Sequence, residues 1–262
     1  VKSGTPAAAL PYRWFFVFGI ENSPSGVEKI KALINTAAEH GLNGMVLSSF
    51  GLDGISQFSP DQLERLRDVA AACKSKNIEL IPTGFSVGYG GSALGHDRNF
   101  AAALPASLAL CANNGRIAPL KQENLLANGD LSDIVRRAGT PLVLKSLDRA
   151  MVFTEGKDFA TIPCARNLDS VAIPAGSAIR NGERLDLACY KIPHIDHLWG
   201  QQISLCMSNP ALYEYWETEA KKLHEVLGFK KFLLSMDEIR NGGGCQLCQN
   251  RKMSMAEILG DC

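Results

Sequence analysis

Two adjacent carboxylates, Asp237 and Glu238, close an apolar run that begins at Phe229. Neighbouring residues on a strand point to opposite faces, so one acid can face a substrate while the other takes a different angle. A short buried strand that delivers acids at its carboxyl end is how an α/β barrel presents catalytic groups. A carboxyl group there acts as a proton donor when burial or a second carboxylate raises its pKa. An ordinary strand end with solvated acids is the competing reading. Further polar candidates are His96 and Asp97, which follow a glycine-rich stretch, and Arg240, two residues past the acid pair.

The elements that must position these residues alternate in kind. Residues 14–19 read as an aromatic-rich strand. Ser25 and Glu28 have capping-box spacing, and Val27, Ile30, Leu33, Ile34 and Ala37 then share a helical face. Gly41 stands where a helix-ending glycine belongs, and residues 43–49 form the next strand. Ser59 with Gln62 starts a second helix, Pro60 opens it, and residues 78–82 follow as a third strand. Residues 84–95 are expected as an irregular binding loop rather than a helix. From 105 to 195 short apolar runs alternate with turn signals such as Asn181-Gly182, the texture of a β-rich insertion. A helix from Asn209 to Gly228 and a strand to Met236 resume the alternation, and Ser254 with Glu257 caps a last short helix. The expected fold is α/β: a partial (β/α)8 TIM barrel of about four strand–helix units with a β-rich insertion. Its parts are residues 1–104, 105–195 and 196–262, with the barrel truncated or completed by a partner.

Composition excludes several function classes. The 27 basic and 27 acidic side chains balance, and no basic face stands out, which excludes a nucleic-acid partner. No apolar run is long enough to span a bilayer. Residues 1–11 lack the pattern of an intact signal peptide, and with Val at position 1 instead of Met a processed or partial chain is expected. Of eight cysteines, Cys73, Cys111, Cys164, Cys189, Cys206 and Cys262 are scattered and read as buried thiols. Cys245 and Cys248 form one Cys-x-x-Cys, half of a structural zinc site. With no second pair, neither a metal nor a cofactor is assigned.

Three blocks carry a family likeness: residues 27–49, residues 58–82 with Gly95-His96, and residues 208–238 ending in Asp237-Glu238. In this order they resemble the catalytic barrel of family 20 glycoside hydrolases, the β-N-acetylhexosaminidases. The chain is more similar still to a bacterial group of glycosidase-like barrels whose strand ends Asp-Glu-Ile-Arg before a Cys-x-x-Cys, as Asp237 to Arg240 and Cys245 to Cys248 do here. Leu233 and Ser235 depart from the family's polar residue and glycine, Thr83 replaces an acid, and no arginine follows the first strand.

The resemblance implies glycoside hydrolysis of an oligo- or polysaccharide. Glu238 would be the general acid, and Asp237 would orient or stabilise a substrate acetamido group. His96, Asp97, Arg240, Tyr89 and Trp199 would contact the carbohydrate, with Trp14 a further stacking candidate. For a substrate without an acetamido group, the second carboxylate would come from Asp97, Glu21 or Asp196. A carbohydrate partner implies export. Two other readings stand beside this one: a non-catalytic carbohydrate-binding protein on a degenerate barrel, and a metal-dependent hydrolase using His96, His194 and His197.

Overall fold

The computed structural model describes residues 10–120, 130–193, 203–236 and 238–262. In chain order the elements are β1 (Trp14–Phe18), α1 (Pro24–Glu39), β2 (Gly44–Ser48), α2 (Pro60–Ser75), β3 (Glu79–Gly84), α3 (Gly91–His96), β4 (Leu104–Asn113), β5 (Arg116–Pro119), β6 (Val143–Ser146), β7 (Val152–Phe153), β8 (Val171–Ala172), β9 (Arg184–Lys191), α4 (Pro210–Leu227), β10 (Leu233–Leu234), α5 (Gln246–Asn250) and α6 (Met255–Asp261). The chain divides into two compact units, Val1–Phe85 with Tyr215–Ser235, and Ser86–Glu214 with Met236–Cys262. Among the described residues no helix is long and apolar enough to cross a membrane.

The first unit is an α/β sandwich layer. Its four strands run parallel in the order β1-β2-β3-β10. Val17, Met45 and Leu47 alternate onto the face covered by α1 and α2, where they meet Ile30, Ile34, Leu66 and Val69. Phe16 and Phe18 take the opposite face and stay exposed, stacked 6.4 Å apart. Helix α2 begins with the expected reciprocal cap: Ser59 Oγ accepts from the Gln62 N–H, and Gln62 Oε1 accepts from the Ser59 N–H. Helix α1 begins two residues earlier than its sequence pattern indicates. Ser23 is the cap, its Oγ accepting from the Gly26 N–H, because Pro24 fits the first helical position. Leu33, placed by periodicity on the buried stripe, is exposed.

Strand β10 also differs from expectation. The run before the acids pairs with β3 over only two residues, and Leu233 and Leu234 are 44% and 56% exposed. Among the described residues it is an edge strand paired on one side only, so its apolar residues are not enclosed.

The second unit holds an antiparallel sheet in the order β7-β6-β9-β4-β5-β8. Strict alternation along β4 and β9 turns Leu108, Leu110, Leu185, Leu187 and Cys189 inward, onto Ile117, Phe153 and Phe159. Glu183, just before β9, is buried and clasped by the Arg149 guanidinium at 2.6 Å and the Ser146 hydroxyl at 2.5 Å. The Arg149 hydrogen bonds are the main reason its pKa is pulled down from 4.5 to about 2.

Two outcomes follow for this unit. Phe159→Ala removes a fully buried ring and is expected to cost about 4 kcal/mol by urea unfolding. Glu183 has a depressed folded-state pKa, so its stabilisation is complete above pH 4.5 and is lost as the pH falls toward about 2. The melting-temperature gap between wild type and Glu183→Gln is therefore widest near neutrality and closes on acidification.

Candidate functional site

The carboxyl ends of the parallel strands share a backbone feature. Gly19 follows β1 with φ +70°, Phe50 lies two residues past β2 at +76°, and Phe85 follows β3 at +54°. Glu238, four residues past β10, has φ +52°. For residues with a β-carbon this left-handed region costs about 1–2 kcal/mol, and such strain clusters at ligand-binding sites.

Two of these positions are anchored within the first unit. Phe85 packs edge-on against Trp216 at 5.9 Å and against Phe232 at 5.2 Å. The segment after β2 is held by α4: the Tyr215 hydroxyl donates to the Asp53 carbonyl at 3.0 Å, and the buried Glu219 carboxylate accepts from the Ser56 N–H at 2.8 Å. Residues 215 and 219 are one turn apart on one helix face, so a single helix orients this segment. Sequence reading missed Glu219, because an acid within a helix gives no sign of what it faces.

Glu238, Arg240 and His96 lie in the second unit. Glu238 is exposed, and the half-buried Arg240 guanidinium holds its carboxylate at 3.2 Å. Next to Arg240, the Asn241 side-chain amide donates to the Ala102 carbonyl at 2.5 Å. This fastens the acid-bearing loop to the segment that follows His96. His96 is exposed at the end of α3, its ring stacked on Phe100 with centroids 6.0 Å apart. The Phe100 carbonyl accepts from the Cys206 N–H at 2.8 Å.

Other expectations change. Asp97 serves as a cap, its carboxylate accepting from the Asn99 N–H at 2.9 Å and the Asn99 amide at 3.0 Å. Tyr89 is exposed, and its N–H donates to Ser86 Oγ. Residues 91–96 form helix α3 where an irregular loop was expected. The glycine before it has a packing reason: a β-carbon on Gly90 would lie 2.2 Å from Leu94 Cδ1 and 3.1 Å from the Ile203 carbonyl oxygen. Trp14 lies across Gly44 and under Lys231 and is 40% exposed. Glu21 is exposed beyond β1. Asp237, Trp199, Asp196, His194 and His197 lie outside the described residues.

One grouping was not legible from spacing. Cys206 joins Cys245 and Cys248 in a buried cluster, with Sγ–Sγ distances of 3.0 Å to Cys245 and 4.0 Å to Cys248. Hydrogen bonds to Cys245 and Cys248 raise the Cys206 thiol, while those from Cys206 and Cys245 draw Cys248 down, so the three titrate as one coupled group. By contrast Cys73, Cys164 and Cys189 are pushed up to about 12 mainly by burial, as inert thiols are. Beside the cluster opens a cavity of about 310 Å³, lined by Met207, Ser208, Tyr213, Leu247, Arg251 and Asp261 among others.

No protein-family model matches the chain, and no curated protein matches it.

The strain at position 238 has a measurable signature. Glu238→Gly and Glu238→Ala both remove the carboxylate, but only glycine relieves the left-handed backbone. The glycine variant is expected to be about 1 kcal/mol more stable than the alanine variant in chemical denaturation.

Proposed function

We propose that the protein is a glycoside hydrolase, or a close relative of one, built on part of a (β/α)8 barrel with Glu238 as its proton donor. The observation that carries this reading is the solvent-reachable Glu238 carboxylate, held by Arg240 at 3.2 Å and set on left-handed backbone four residues past the last parallel strand. In parallel α/β folds, ligands bind outside the carboxyl ends of the strands. Strand order β1-β2-β3-β10 follows the chain, as successive barrel strands do.

Glycosidic cleavage needs a proton delivered to the leaving oxygen and stabilisation of an oxocarbenium-like transition state. Glu238 would supply the proton, with Arg240 fixing where its carboxyl group sits. The family likeness assigns Asp237 to a substrate acetamido group, and His96, Tyr89 and Trp199 to sugar contacts. Asp97 is engaged by Asn99, which makes it a positioning group for the turn at 98–100 rather than a second catalytic acid. The substrate class is an oligo- or polysaccharide, and export of the protein accords with it. Thr83, buried at the end of β3 where the family has an acid, favours one rival: a carbohydrate-binding protein without turnover.

A panel of chromogenic glycosides assayed with wild type and Glu238→Gln separates the two. The hydrolase reading expects turnover by wild type, a fall of at least about 100-fold in kcat/KM for the variant, and retained sugar binding. Sugar binding without turnover in wild type assigns the protein to the rival, and neither binding nor turnover removes both.

A further inference from the structure

We propose that Cys206, Cys245 and Cys248 bind a zinc ion as thiolates and thereby fix the loop that carries Glu238 and Arg240. The inference does not depend on the hydrolase reading.

Geometry selects the ligand. Zinc–sulfur bonds of about 2.3 Å at tetrahedral angles set sulfurs about 3.8 Å apart. The three sulfurs here all lie within 4.8 Å of one another, with separations of 3.0 and 4.0 Å from Cys206. A disulfide needs about 2.0 Å and would leave the third thiol buried beside it. Three buried soft ligands on a Cys-x-x-Cys turn match zinc better than a hard cation.

The glycines between Asn241 and Cys245 let the loop close on these sulfurs. Gly243 reaches its place with φ +77°, and Gly242 and Gly244 keep close packing open, since β-carbons there would lie 2.3 Å from Ile239 Cγ2 and 2.7 Å from Leu104 Cδ2. Three protein thiolates leave the fourth zinc position to a solvent oxygen. Binding releases the thiol protons and needs no oxidant or reductant.

Metal analysis of the full chain, purified without chelator, is the test. About one zinc per chain is expected, and cobalt substitution should give a sulfur-to-cobalt charge-transfer band of three-thiolate intensity. Cys206→Ser should lose most of the metal, whereas Cys111→Ser, outside the cluster, should keep it. If Cys206→Ser fails to fold, the cobalt spectrum of wild type still decides. A wild-type chain that neither contains nor takes up zinc overturns the proposal. So does a mapped Cys206–Cys245 disulfide, or iron with inorganic sulfide. Each of these readouts is independent of glycosidase activity.

Discussion

Between residues 238 and 248 only Cys245 and Cys248 are buried, and both bring their sulfurs to Cys206. The buried contacts of the loop carrying Glu238 are thus two sulfurs meeting a third, not an extended apolar core. Hydrogen bonds assist at two points: Asn241 to the Ala102 carbonyl, and the Tyr190 hydroxyl to Gln246 Oε1 at 2.5 Å. Neither buries enough surface to offset the entropy of ordering a loop with three consecutive glycines. A metal bridging the thiolates would supply that missing free energy.

The rest of the architecture separates support from chemistry. In the first unit, α1 and α2 cover one sheet face, and the strained residues sit where the strands end. Left-handed phenylalanines persist only where packing over-determines them, as Trp216 and Phe232 do for Phe85. In the second unit, the antiparallel sheet buries its own core and presents ion pairs such as Arg149–Glu183 at its margin. Phe16 and Phe18 expose this sheet face at the edge strand β1, while their neighbours on the same face, Val46 and Ile81, are buried, and the opposite face is closed by helices.

Much of this was legible where the cause is local. The caps at Ser59 and Ser254, the glycine after α1 and the long helix from Pro210 all appear as read, since each depends on contacts within a few residues. The β-rich texture of the middle segment likewise emerged as an antiparallel sheet. Non-local causes stayed hidden. Cys206 lies 39 residues from Cys245, and nothing in that spacing shows that they meet. Exposure of Leu233 and Leu234 depends on what covers an edge strand, which hydropathy does not record. Gly90 fell within an expected irregular loop and Gly242 and Gly244 drew no reading, while their role is close approach of side chains and backbone. Asp97 illustrates a third limit: residue type and place suggested chemistry, and a neighbouring asparagine turns the carboxylate into a cap.

Hydrogen–deuterium exchange on the full chain, before and after the metal is stripped with a mercurial and a chelator, tests the sulfur-held loop most directly. The account predicts that amides from 239 to 250 exchange several-fold faster once the metal is gone, while β4 and β9 keep their protection. Unchanged exchange in that loop would contradict it, because the loop would then hold its shape without the three sulfurs acting together.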